Sequence, residues 1–308
     1  MTKFLQTLMD GMAVGSLYAL IALGYTMVYG ILKFINFAHS DIFVLGAWIS
    51  FTVASMLGWA AADAHAPVWA GPLVLLTAMA ACGLVGFTVE RLAYKPLRRA
   101  PRLNVLITAI GVSLFLQNFG QLPFVFGAQP QRMPSLVADR VLASFSGVQV
   151  RLVDVIGAGS AVALMVALEW LVFHSKMGRA MRAVSYSTSV ASLMGINVDR
   201  VISFTFVLGS ALAAAAGFLY AMKYPGLNQP AHTTWVLLGL KAFVAAVIGG
   251  IGNIRGAMLG GFLIGGIELF GAAYLSPQLR DVYVFALLIL VLLVKPTGLV
   301  GKAVVEKV

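Results

Sequence analysis

The sequence predicts an all-α, polytopic integral membrane protein of about eight to ten transmembrane helices, one domain spanning 1–308. Three observations carry this. First, 60% of the 308 residues are hydrophobic and only 10% charged, where a soluble domain carries about 25% charged residues; the mean hydropathy is +0.94. Second, the apolar residues gather into runs long enough to cross a bilayer. Third, the basic residues sit in short connections between those runs, where they orient spans.

A span needs about 20 apolar residues to cross about 30 Å of hydrocarbon. Nine runs qualify in order: 10–32, 39–59, 68–91, 103–126, 153–174, 201–223, 235–250, 256–275 and 280–297. Two are less regular: the second opens on His39 and Asp41, and 235–250 is short and ends in glycines. The connection 91–102 holds Arg91, Lys95, Arg98, Arg99 and Arg102, and the tail holds Lys295, Lys302 and Lys307. Both are placed in the cytoplasm, and an odd number of spans then puts the N-terminus outside. The net charge of +10 therefore sets topology, with no basic face on a soluble domain to bind nucleic acid. The first run, preceded by Lys3 and followed by no small-residue cleavage site, reads as a retained span. The single Cys82 excludes an intramolecular disulfide and gives no thiolate metal site.

Between the fourth and fifth runs, 127–152 is the long outer loop. Pro130 and Pro134 interrupt it, and Phe145-Ser146-Gly147 can turn a short hairpin before Val148, Val150 and Leu152. Tyr224 to Thr234, with Pro225, Gly226 and Pro230, would flank it. Taken alone, the loop also fits a simple connection.

Gly178 to Arg200 is a polar interruption between two apolar runs. Ala183, Tyr186, Val190, Leu193 and Met194 fall on one stripe of a helix. Ser187 suits an N-cap, Gly195 suits a C′ stop, and Asn197 or Asp199 can cap the run that follows. Lys176, Arg179, Arg182 and Arg200 place the segment in the cytoplasm. An amphipathic helix there either rests on the membrane interface or docks into a cytoplasmic partner.

Glycine concentrates near the end. Gly252, Gly256 and Gly260 repeat at four-residue spacing, as do Gly261 and Gly265, which predicts close helix packing. Gly250-Ile251-Gly252 hints at a phosphate loop, but Arg255 stands where the third glycine belongs and no βαβ unit surrounds it. The sequence holds no GxxxxGK[ST], HExxH, CxxC or G-x-S-x-G pattern, and no constellation supporting catalysis. His39, His65, His174 and His232 are scattered and read as polar end-groups.

Ionisable residues at membrane depth mark function. The candidates are Asp41, Lys241 and Glu268, with Asn36, His39, Gln117 and Asn118 as uncharged company; Glu90 and Glu169 lie near enough to span ends to reach water. Asn36, Phe37, His39 and Asp41 form a polar joint between two apolar runs. It reads as a translocation path or gate, or as a plain cytoplasmic turn. Lys241 and Glu268 fall on antiparallel neighbours, about 14 Å and about 20 Å above the cytoplasmic turn. The lysine stem can cover most of that difference, so the two are expected to pair, the alternative being that each snorkels alone.

Four stretches carry a family resemblance: Ala19 to Gly46, Gly178 to Ile202, Lys241 to Gly261 and Phe285 to Gly298. Within the second, Gly178-Arg179-Ala180, Ala191-Ser192-Leu193-Met194-Gly195-Ile196-Asn197 and Asp199-Arg200-Val201-Ile202 resemble the cytoplasmic coupling segment of bacterial branched-chain amino-acid ABC importer permeases, the LivH type. The resemblance implies a multi-pass inner-membrane subunit paired with a second, homologous permease. It also implies two cytoplasmic ATPases that carry ATP and Mg, a periplasmic amino-acid-binding protein, and no hydrolysis or cofactor in this chain. Ala183, Tyr186, Val190, Ala191, Leu193, Met194 and Gly195 would then couple to the ATPase, and 127–152 would receive the binding protein. The departure is Ser185-Tyr186-Ser187-Thr188-Ser189, where relatives commonly carry acidic residues. A permease for urea or short amides is a rival within the class. A secondary transporter driven by H⁺ or Na⁺ through Asp41 or Glu268 is a rival outside it.

Overall fold

The computed structural model describes residues 2–60, 66–98, 100–137, 140–145 and 147–301. His65, Arg99, Ser146, Lys302 and Lys307 lie outside the described residues. Among those described, eleven α-helices run in order. They are α1 (Thr2–Leu32), α2 (His39–Met56), α3 (Ala70–Val89), α4 (Arg102–Gly120), α5 (Leu152–His174), α6 (Lys176–Tyr186), α7 (Thr188–Leu193), α8 (Val198–Lys223), α9 (Thr233–Gly249), α10 (Ile254–Tyr274) and α11 (Arg280–Val294). Seven helical stretches are long and apolar enough to cross a membrane, fewer than the nine runs expected. The two that fall short are those the sequence marked as irregular. α2 starts on charged and polar residues, and α9 has only 17 residues.

α1 is the centre. Every residue from Ala13 to Val28 is buried, as expected for a helix apolar on all sides. It packs against α8, α9 and α10. α4, α5 and α11 lie at the periphery, with most of their apolar surface turned outward, the arrangement of lipid-facing helices.

Glycine sorts α10 into two faces. A Cβ at Gly256 or Gly260 would strike the backbone of α9 at Gly249 or Ala245. One at Gly261 or Gly265 would strike α1 at Ala19 or Gly15. The backbones are therefore in contact, as small residues permit in membranes. Gly252 departs from its expected packing role: it lies in the α9–α10 turn, where its φ of +92° needs glycine. Asn253 then caps α10 by accepting from Gly256 N at 3.2 Å.

At the end of the bundle opposite segment 178–200, β1 (Gln131–Arg132) pairs antiparallel with β4 (Gly226–Leu227), tying 127–152 to the 224–234 stretch. β2 (Val141–Phe145) and β3 (Val148–Arg151) form the hairpin, with Gly147 at φ +87° in its turn. Gln149 N donates to Gln6 Oε1 at 2.9 Å, so the hairpin is held on the start of α1.

Candidate translocation and coupling sites

The joint between α1 and α2 lies inside the bundle. Asn36 is buried and its Oδ1 accepts from Tyr94 Oη at 2.5 Å. Tyr94 meets Phe206 in a tilted ring contact at 5.4 Å, eight residues into α8 and thus about 12 Å from that helix's N-terminal end. Irregular backbone at this depth persists only where protein or a cavity surrounds it. His39 is 1% exposed, a correction to its reading as an end-group. Its ring fits because position 24 is glycine: a Cβ there would overlap the imidazole. Tyr25 meets the ring edge-on at 4.7 Å, and Phe37 packs toward Phe243 at 6.5 Å. Asp41 Oδ1 accepts from Gln117 Nε2 at 2.8 Å, whereas Asn118 turns back to Leu114 O. His39 Nε2, Asp41 Oδ2 and Thr26 Oγ1 are buried without a hydrogen-bond partner among the described residues. Unpaired polar atoms at this depth are costly.

The structure brings Lys241 and Glu268 together, Nζ to Oε1 at 2.9 Å, both buried. Two partners were not foreseen. Tyr18 Oη donates to Glu268 Oε2 at 2.7 Å, and Asp281 Oδ1 lies 2.5 Å from the same Nζ. One lysine therefore ties α9 to α10 and α11, while Glu268 ties α10 to α1. No sequence signal marks Asp281, because it lies in the first turn of α11, where a carboxylate reads as part of a solvated helix end.

At the end of the bundle where α3 meets the start of α8, a second network corrects the reading of Glu90. It is wholly buried, within a π-helical turn over Glu90–Tyr94. Ser203 Oγ donates to Glu90 Oε2 at 2.6 Å, and Arg98 pairs with both Glu90 and Asp199. Lys95 Nζ adds a contact to Asp199 Oδ2 at 2.8 Å. A span-end position did not give Glu90 water because α8 crosses over it. Glu169, by contrast, is partly exposed and held by Arg255 at 2.6 Å.

Segment 178–200 is two helices instead of one. Ser187 is extended at φ −157° and divides the expected stripe between α6 and α7. Its Oγ accepts from Val190 N at 3.3 Å, capping α7. Gly195 stops the segment at φ +80°, and Asn197, accepting from Arg200 N at 3.0 Å, is the residue that caps α8. Gly178, Met181, Val184 and Ala191 face inward, with Ala183 half-buried. Ser185 Oγ donates to Gly30 O at 2.7 Å, fastening α6 to the end of α1. Tyr186, Val190, Leu193 and Met194 remain exposed, at 93, 54, 87 and 77%. This apolar cluster sits among polar and basic residues with nothing covering it in the described chain.

Facing the other way, a cavity of about 1040 Å³ opens among α1, the β1 and β3 strands, α5 and α8. Its wall carries both signs of charge: Asp10 and Asp154, with Arg132, Arg151 and Lys223. Lys223 and Asp154 pair. Met133, Met222 and Leu269 supply apolar surface beside them.

Comparison with known proteins gives the same outline. The family model described as the permease component of branched-chain amino acid transport systems matches residues 7–292. The chain is 44% identical over 313 residues to the high-affinity branched-chain amino acid transport system permease protein LivH of Salmonella typhimurium, covering 99% of this chain and 98% of the relative. It is 44% identical over 316 residues to LivH of Escherichia coli, with the same coverage. To the corresponding permease protein BraD of Pseudomonas aeruginosa it is 43% identical over 312 residues, again at 99% and 98% coverage. No solved structure matches the chain.

Proposed function

The chain belongs to the permease family of branched-chain amino acid transport systems, and on that footing we propose that it is the translocation subunit of a binding-protein-dependent ABC importer. It moves aliphatic, branched-chain amino acids across the bacterial inner membrane. A second, homologous permease completes the passage, two cytoplasmic ATPases bind and hydrolyse ATP with Mg, and a periplasmic binding protein delivers cargo to the outer face. The chain itself performs no hydrolysis.

The observation that carries this reading is the exposed cluster Tyr186, Val190, Leu193 and Met194 at the cytoplasmic end. A short helical hairpin with an uncovered apolar face offers the side-chain anchors that fit a partner groove. Its neighbours support a transmission role. α7 leads through Gly195 into α8, whose first-turn Asp199 pairs with Arg98. Arg98 grips Glu90, and the same π-helical turn carries the Tyr94 that holds Asn36 at the joint. A push on α7 is thereby delivered to the segment where α1 and α2 meet. The two-signed outer cavity suits a zwitterionic cargo: cations for its carboxylate, carboxylates for its ammonium, and methionine and leucine surface for an aliphatic side chain. Glu268, already engaged by Lys241 and Tyr18, is poorly placed to carry a driving ion.

Val190→Asp tests the reading. It puts a charge at the centre of the cluster without touching a span. The expected result is normal membrane expression with loss of ATPase co-purification and of amino-acid uptake. If uptake survives, the cluster lies on lipid and the coupling assignment is wrong.

A further inference from the structure

Two cavities on the flank of the bundle, away from the joint and the outer chamber, form one groove. The first, about 420 Å³, is lined by Met79, Ala80, Gly83, Leu84, Phe87, Val207 and Ala211, all apolar. The second, about 480 Å³, shares Phe87 and Val207 with it and continues to the cytoplasmic end, where Arg91, Lys95, Asp199, Arg200 and Ser203 line it. The groove is a seam between α3 and α8, open because Gly83 and Ala80 present almost no side chain there, and Leu84 beside them is 67% exposed. From Met79 to Phe87 the apolar part runs eight residues, about 12 Å along the helix, most of the roughly 15 Å depth of one leaflet.

The inner end is cationic beyond what the protein itself neutralises. Three basic residues line it against the single carboxylate of Asp199, and that carboxylate is taken by Lys95 at 2.8 Å and by Arg98. Arg91 and Arg200 have no carboxylate partner among the described residues; the Arg91 guanidinium instead lies over the Phe87 ring, 5.2 Å from its centroid. That contact stands at the junction of the two cavities and turns the cation toward the groove.

We infer that this seam is a binding site for an anionic phospholipid of the cytoplasmic leaflet. Its phosphate sits between Arg91 and Arg200, and one acyl chain lies along Gly83 and Val207. A phosphodiester supplies the missing negative charge, and basic residues at the cytoplasmic membrane surface attract such lipids. A helix of a second permease chain is the rival occupant. At about 10 Å across it would cover the apolar half but bring nothing that calls for two unpaired guanidinium groups. The inference depends on the membrane topology alone and is independent of the cargo.

The test is lipid retention by the full chain, purified with whatever subunits stay attached and weighed intact by native mass spectrometry after exchange into phosphatidylglycerol or phosphatidylcholine. The wild type should keep phosphatidylglycerol preferentially, by about 10-fold or more for two basic contacts, and melt at higher temperature in nanodiscs containing it. Arg91→Gln with Arg200→Gln should abolish the preference. Arg91→Lys with Arg200→Lys, which keeps the charge, should restore most of it. Ala80→Trp, which fills the apolar half, should reduce retention with the cations intact. The inference fails if the double glutamine variant keeps the preference, or if the lysine variant behaves like the glutamine one. It also fails if glycerol phosphate alone gives the same melting shift, or if a cysteine introduced by Leu84→Cys crosslinks to a second permease chain.

Discussion

Breaking the Lys241 cluster should be asymmetric, and the geometry says which side costs more. Lys241→Met removes the cation from two carboxylates at once. Asp281, whose side chain is 45% exposed, can turn to water or headgroups. Glu268, 5% exposed in its side chain, keeps only the Tyr18 hydroxyl, so a nearly bare carboxylate stays inside the bundle. Removing one partner of a buried pair costs about 3–5 kcal/mol, and this variant should fall in that range. Glu268→Gln leaves Lys241 with Asp281 at 2.5 Å and leaves Tyr18 an amide to meet. Its cost should be smaller, about 1–2 kcal/mol, typical of a lost hydrogen bond to a charged group. The double variant strands neither charge and should recover about 1–3 kcal/mol relative to the sum of the two singles. The assay is reversible denaturation in mixed micelles, with the wild type, both singles and the double measured together. Equal costs for the two singles, or strictly additive costs in the double, would refute the shared-lysine argument. They would leave two residues that reach the interface separately.

Two further expectations follow from the same reasoning. Glu90→Gln should destabilise by about 1–3 kcal/mol, since Arg98 retains Asp199, and should lower uptake per ATP hydrolysed more than it lowers ATPase association; normal coupling in this variant would remove the network from the transmission route. Substitutions in Gln131 to Val150 should weaken stimulation by the binding protein more than assembly with the ATPase, measured as ATPase rate against receptor concentration; parallel loss of both would make the outer loop a folding element.

The apolar runs alone fixed the class of the protein, because hydrocarbon demands about 20 residues per span whatever the neighbours are. The same rule exposed the two irregular helices in advance, through His39 and Asp41 at the head of α2 and the shortness of α9. Caps were legible too, at Ser187 and Gly195, since their chemistry is local; the choice between Asn197 and Asp199 before α8 fell to the structure. The Lys241–Glu268 meeting could be worked out from helical rise along two consecutive helices. Only the tertiary structure decided what depends on helices far apart in the chain. Asp281 joins Lys241 across 40 positions, and Ser203 closes over Glu90 from α8; neither distance is readable from periodicity. The break at Ser187 was hidden because an apolar stripe continues across it, and one extended residue costs a pattern nothing. Burial of His39 was likewise invisible, since it rests on the space left by Gly24 on another helix. In a membrane bundle the spans are set by transfer to lipid, residue by residue, whereas the polar contacts are set by which spans end up adjacent.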